Sequence, residues 1–210
     1  MSIGIAIPAC KSYIHYLESL LRNISEQTII PDEIAISISD IDIYKPKNDY
    51  GLNLIIKSFP ESKNGAQNRN IAANLLNTDV ISFFDCDDLM HPQRTEFLLH
   101  SFKDDNVEAV VHDYETEKYI FDNLIGNPYN QPNLEFNVIN TIYEDLLYPS
   151  DVTKNKRFHN AHVSVRRKIF DILKYDEHFW APDSLFNKEI VKHGYNISLL
   201  KNKLSFYTLR

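Results

Sequence analysis

The sequence predicts an α/β fold: a mostly parallel, doubly wound sheet with helices on both faces. Three observations carry this. Strand-like and helix-like stretches alternate through the first half of the 210 residues. The strand-like runs are apolar throughout, as strands buried on both faces are. The connections between them are short, which suits a parallel sheet covered by helices.

The elements follow in order. Residues 3–8, Ile-Gly-Ile-Ala-Ile-Pro, read as a buried opening strand. Residues 12–27 read as an amphipathic helix, because Tyr13, Tyr16, Leu17, Leu20, Leu21 and Ile24 recur at helical spacing. Pro31-Asp32 breaks it. Residues 33–39 and 52–59 read as strands, 65–76 as a helix and 80–84 as a strand. A helix begins at His91-Pro92 and runs to about residue 102, and 107–112 form another strand. Residues 114–156 are rich in Asn, Pro, Tyr and acidic side chains and show no clear period. They read as a long excursion over the site with one short helix at 138–147, since loops of this length are often lids or binding loops. Beyond it, 161–165 read as a strand, 166–173 and 183–194 as helices, and 197–200 and 204–207 as two short terminal strands.

Bulk properties exclude some classes. A net charge of −7 argues against a nucleic-acid binder, which normally shows a basic face. Two cysteines, Cys10 and Cys86, imply neither a disulfide framework nor a cysteine-rich zinc site. No apolar run approaches the ~20 residues of a membrane span, and no secretory signal pattern opens the chain. A soluble, reducing, cytoplasmic setting is expected.

The most pointed segment is Val80-Ile81-Ser82-Phe83-Phe84-Asp85-Cys86-Asp87-Asp88, an apolar strand that ends in three carboxylates within four residues. Carboxylates repel one another, so a fold that gathers them supplies a counter-charge, usually a hard divalent cation on oxygen ligands. Strand alternation puts Asp85 and Asp87 on one side as ligands of Mn²⁺ or Mg²⁺, with Cys86 on the other. Asp88 either supports them from one layer back or closes an Asx turn. In doubly wound sheets ligands bind outside the carboxyl ends of the strands. Pro8-Ala9-Cys10 and Ser39-Asp40 also fall at such ends. The polar stretch at 62–70 opens a helix whose free N–H groups suit an anion, with Lys63 and Arg69 beside it. Asp183, after Trp180-Ala181-Pro182, reads either as an ordinary N-cap or as a general base at a pocket rim with Trp180 as a stacking wall. His159 and His162, three apart on an expected strand, should face opposite ways and not chelate together. One of them, His162, is a candidate to reach the metal or an acceptor hydroxyl.

These segments in this order resemble a GT-A fold nucleotide-sugar glycosyltransferase of the family 2 type. The opening strand ends in Ile7-Pro8-Ala9. Asp40 falls where such enzymes have a base-recognising aspartate. Gln67-Asn68-Arg69-Asn70 matches the family's helix start. Asp85-Cys86-Asp87-Asp88 matches its DxD motif, and Ala181-Pro182-Asp183 with Gly194-Tyr195 its ED helix. The compactness is similar to that of small virus-encoded members.

The resemblance implies a metal-dependent transfer from a UDP-linked sugar to a glycan or other acceptor hydroxyl, with inversion. Pro8, Ala9, Cys10 and Asp40 would hold the base. Lys63 and Arg69 would lie near base or diphosphate. Asp85 and Cys86 would line the donor, Asp87 and Asp85 would bind metal, and Asp183 would be the base. One domain, 1–210, is expected, with 1–113 as the nucleotide-binding half and 114–210 as the acceptor side. It is either a minimal enzyme or one domain of a longer protein. Pro182 stands where the family usually has glutamate, which puts the acceptor side in question. A sugar nucleotidyltransferase is disfavoured, because the turn after the first strand has no glycine-rich basic loop. A non-catalytic nucleotide-sugar-binding domain is the other competing class.

Overall fold

A computed structural model describes residues 1–136 and 158–208. One nine-stranded sheet runs through both halves of the chain. Its first part is β1 (Ile3–Cys10), β2 (Glu33–Ser39), β3 (Leu54–Ser58) and β4 (Val80–Phe83), all parallel, in the order β3-β2-β1-β4. β8 (Ser164–Arg166) then pairs antiparallel with β4 and with β6 (Ala109–Glu115). β9 (Ile197–Phe206) lies parallel to β6, and the two-residue strands β5 (Leu89–Met90) and β7 (Leu134–Glu135) pair antiparallel with β9.

Helices cover both faces of the parallel part. On one face α1 (Ile14–Ser25) lays Leu17, Leu20, Leu21 and Ile24 onto Ile5, Ile7, Ile34, Ile36 and Ile38. All four helix residues are fully buried. Each removes about 2 kcal/mol of apolar surface from water, which fixes this face far more firmly than helix propensity does. On the other face α2 (Gly65–Leu75) packs Ala66, Ala72 and Ala73 against Ala6, Ala35, Ile81 and Phe83. Small residues on both sides bring the helix close to the sheet. α5 (Arg167–Ile172) and α6 (Pro182–Lys192) join the same cluster through Ile169, Phe170, Phe186 and Ile190. α3 (Arg94–Ser101) closes a third cluster with Ile3, Val80, Val110, Leu200 and Leu204.

Several boundaries differ from expectation. Pro8, Ala9 and Cys10 are the last residues of β1 rather than a turn. Proline is tolerated there because β4 pairs with β1 only from Ile3 to Ala6, so beyond that point β1 has a single neighbour. The excursion after residue 114 contains α4 (Lys118–Gly126) and β7, elements its irregular composition hid. The helix expected at 138–147 lies outside the described residues. The two expected terminal strands are one: Lys201 and Asn202 bulge out of register with β6, and Lys203 resumes the pairing opposite Asp113. The strand expected at 161–165 begins only at Ser164, and residues Asn160–His162 form a 3-10 turn.

Candidate active site

The carboxyl ends of β1, β2 and β4 lie side by side, with Cys10 opposite Ser39 in register. Asn68 of α2, 2% exposed, ties them together. Its amide donates to Ala9 O at 3.1 Å and Ser39 Oγ at 3.2 Å, and its oxygen accepts from Ser37 Oγ at 2.8 Å. Asp40, next in the chain, is exposed and held at φ 63°, the left-handed region that Asp tolerates better than most residues. Its backbone N–H donates to Glu61 O at 3.3 Å. Lys63 sits nearby with Nζ 4.4 Å from the centre of the Phe59 ring.

α2 starts with a capping box. Asn64 accepts from the Gln67 N–H, and the Gln67 side chain accepts from the Asn64 N–H, each at 2.9 Å. One turn on, Arg69 is 7% exposed and points its guanidinium across the site. Nη2 lies 2.6 Å from Asp85 Oδ1, and Nη1 lies 2.9 Å from Asp183 Oδ1. Gly65 makes room, since a Cβ there would sit 3.1 Å from Nη1. Burial works against the Arg69 charge, yet Asp85 and then Asp183 outweigh it and hold its pKa above the ordinary arginine value. The resemblance placed Arg69 near base or diphosphate; the structure places it as a bridge between two carboxylates.

The two carboxylates are pushed in opposite directions. Burial raises the Asp85 pKa, but Arg69, His162 and His159 together bring it below the ordinary carboxylate value. At Asp183 burial wins, and Asp85 adds to it, so the pKa stands above the ordinary value despite Arg69. A pair of acids separated in this way divides naturally into a permanently charged group and a proton acceptor.

Asp183 is not an N-cap. Ala181 caps α6 without a side-chain hydrogen bond, Pro182 takes the first helical position, and Asp183 follows. The helix ends in a Schellman motif: Gly194, at φ 79°, donates to Val191 O, and Tyr195 donates to Ile190 O. Residues outside the sequence-predicted set hold Asp183 against α2. Asn70 and Tyr175 exchange hydrogen bonds at 2.9 and 3.0 Å, and the Asn64 amide donates to Glu177 O at 2.7 Å. Tyr175 stacks on Phe186 of α6 at 4.3 Å and lies 5.6 Å below the Arg69 guanidinium. The 67–70 motif was the only sequence signal for these links. Trp180 is 77% exposed and packs against Phe179.

At the end of β4, Asp85 and Asp87 are half-buried on one side, while Cys86 and Asp88 are buried. Cys86 joins the α1 core cluster with Met90. Asp85, Asp87 and Asp88 each offer an oxygen within 4.8 Å of the others, and an all-oxygen set of this kind fits Mn²⁺ or Mg²⁺. Thr208 holds this turn, its N–H donating to Asp88 Oδ1 at 2.9 Å and its hydroxyl to Asp87 O at 3.0 Å.

The histidines correct the sequence reading. Because Asn160–His162 turn as a 3-10 helix behind His159 rather than as a strand, residues three apart are eclipsed. His159 and His162 therefore face the same way, with ring centres 4.1 Å apart. His162 is fully buried, stacks on Phe84 at 4.2 Å and lies 3.0 Å from Asp88. A cavity of 940 Å³ lined by Asn77, Asp79, Arg166 and Arg167 opens at the amino ends of β1 and β4 and contains none of these groups. Among the described residues no helix is long and apolar enough to cross a membrane.

A parallel sheet whose carboxyl edge gathers carboxylates, a helix N-terminus and a buried arginine defines an α/β protein of the GT-A fold. The sequence matches glycosyl transferase family 2 over residues 4–171, and the chain belongs to that family. Solved structures agree in fold. S. aureus TarS 1–349 in complex with UDP superposes with a TM-score of 0.70 at 15% identity, over 100% of this chain and 61% of that one. The same protein with UDP-GlcNAc gives 0.68 at 15%, over 100% and 59%. The mannosyltransferase PcManGT from Pyrobaculum calidifontis, in complex with GDP-Man and Mn²⁺, gives 0.58 at 18%, over 93% and 53%. This chain thus spans less than two thirds of those chains. No curated protein matches the sequence.

Proposed function

We propose that this chain transfers a sugar from a nucleoside-diphosphate sugar, with UDP as the carrier, to a hydroxyl of a glycan or similar acceptor, with inversion. The observation that carries this reading is the Arg69 bridge, 2.6 Å to Asp85 and 2.9 Å to Asp183. It joins a carboxylate at the donor edge of the sheet to a second carboxylate whose pKa is raised. A base poised in this way is matched to taking a proton from a hydroxyl. Family membership and the nucleotide-sugar complexes of the fold relatives support the same direction.

In this reading Asp183 accepts the acceptor's proton, and Arg69 fixes the carboxylate relative to Asp85. Asp40, exposed at the end of β2, takes the base together with the end of β1 at Pro8, Ala9 and Cys10. Lys63, placed over Phe59, faces the diphosphate. Asp87 and the second oxygen of Asp85 would hold Mn²⁺ or Mg²⁺, which supplies Lewis-acid stabilisation of the departing diphosphate. Residues 1–113 form the donor side of a single 1–210 domain, and Trp180 offers an exposed ring to an acceptor. The deciding experiment is calorimetric titration with UDP in Mn²⁺ and then in EDTA, followed by turnover of UDP-sugars. Mn²⁺-dependent binding with sugar release is expected. Equal binding after EDTA would remove the metal assignment, and donor binding without any turnover would favour the non-catalytic alternative.

A further inference from the structure

We infer that a buried hydrogen-bond chain, from Ser37 through Asn68 to Ser39, orients the Asp40 carboxylate for the base of the donor. Asn68 and Ser39 are then positioning residues of base recognition. This role rests on the nucleoside-diphosphate donor proposed above.

The chain runs through a strand that is otherwise apolar. Along β2, Ile34, Ile36 and Ile38 face α1, and alternation turns Ala35, Ser37 and Ser39 towards α2. Ser37 and Ser39 are fully buried, and Asn68 is 2% exposed. Burying two hydroxyls and an amide is costly unless each is bonded, and here each is. Ser37 Oγ donates to Asn68 Oδ1 at 2.8 Å. Asn68 Nδ2 donates to Ala9 O at 3.1 Å, to Ser39 Oγ at 3.2 Å and to Lys63 O at 3.4 Å. These partners fix which way round the amide sits, because the Ala9 and Lys63 carbonyls can only accept.

The Ser39 hydroxyl accepts from Asn68 and still has its own hydrogen to give. Two acceptors are in reach, Asp40 Oδ2 at 3.3 Å and Lys63 O at 3.4 Å. Lys63 O already receives Asn68 Nδ2, and a carboxylate is the stronger acceptor, so the hydrogen goes to Asp40. Each member donates to the next, and the chain ends on its one exposed member. The Asp40 backbone is held separately, at φ 63° with its N–H on Glu61 O, and the Ile41 N–H lies on Phe59 O at 2.9 Å. What remains is the side-chain torsion, a freedom an exposed carboxylate loses on binding. The Ser39 hydroxyl restrains it in advance, which lowers that cost. The same amide holds Ala9 O, so one side chain sets the ends of both β1 and β2, where the base is proposed to lie.

Calorimetric titration of the full chain with UDP and with CDP, both in Mn²⁺, tests the chain. Uracil carries an N–H where cytosine has a bare ring nitrogen, so an oriented carboxylate accepts from the first and repels the second. Wild type is expected to bind UDP at least about tenfold more tightly than CDP. Ser39→Ala should weaken UDP about tenfold and leave CDP unchanged, so that the preference disappears. Asn68→Ala, one step further back, should also lose the preference, and it serves as the second variant if Ser39→Ala is not folded by circular dichroism. The inference is overturned if the folded variants keep the wild-type preference for UDP. It is equally overturned if they weaken UDP and CDP by the same factor, since the strand end would then merely be loosened, or if wild type binds the two alike. A wild type that binds neither nucleotide removes the donor reading itself and this role with it.

Discussion

Two arginines are buried among the described residues, and they live in opposite electrostatic worlds. Arg69 sits between Asp85 and Asp183, and its pKa is held above the ordinary value. Arg94, fully buried at the start of α3, has no carboxylate partner among the described residues. Its Nε donates to His112 Nε2 at 2.9 Å and its Nη2 to Phe83 O at 3.2 Å, while Nη1 is unsatisfied and the Phe84 ring lies 4.8 Å away. Burial alone pushes its pKa down to about 9. Because Arg94 donates to Nε2, His112 must carry its hydrogen on Nδ1, which donates to Asp113 O at 3.0 Å. Arg94 thus clamps the end of β4 to β6 from behind, whereas Arg69 joins the two acids in front. Burial marks both; the charge partner separates them, and in the proposed function Arg69 positions the two acids while Arg94 serves the architecture.

Substitutions should pull the two apart. Asp183→Asn removes the proposed proton acceptor while keeping the side chain's shape. Transfer should fall about 10³-fold with UDP affinity unchanged, measured as kcat against Kd. A variant that transfers normally would mean that another group is the base. Arg69→Met leaves two partly buried acids facing each other and should lower stability by about 2 kcal/mol, read from urea unfolding. It should also move the pH profile. Asp183 must be ionised to accept a proton, so transfer is lost as pH falls through its raised pKa. Arg69 opposes that rise, hence its removal should shift the acid limb of kcat to still higher pH.

Arg94→Met should lower stability by a similar amount, about 2 kcal/mol, because His112 Nε2 and Phe83 O lose their donor. The acid limb of transfer should not move, and a shift as large as that of Arg69→Met would dissolve the distinction between the two arginines. The smallest effect belongs to Gly65→Ala. Its added methyl would press on Arg69 Nη1 from 3.1 Å, so the guanidinium must give by a few tenths of an ångström. A decrease in kcat of about threefold is expected, with Tm nearly unchanged because a helical Gly→Ala replacement offsets the crowding.

The sequence by itself determined the parallel half. Apolar runs ending in Pro8-Ala9-Cys10, Ser39-Asp40 and Asp85 to Asp88 announced buried strands with polar carboxyl ends, because strand burial and the strand-end turn are local properties. The acidic turn, the 65–75 helix and Asp183 were legible for the same reason. What only the tertiary structure decided are contacts between residues far apart in sequence. The 62–70 stretch pointed to Arg69 and nothing pointed to Arg94, but which acids stand opposite each guanidinium depends on how α2, β4 and α6 pack. The histidines show it most sharply. Alternation along a strand would have separated His159 from His162, but the pull of β8 into register with Ser82 and Val110 begins only at Ser164. The residues before it are left to turn as a 3-10 helix, and that turn brings both rings to one side, against Asp88.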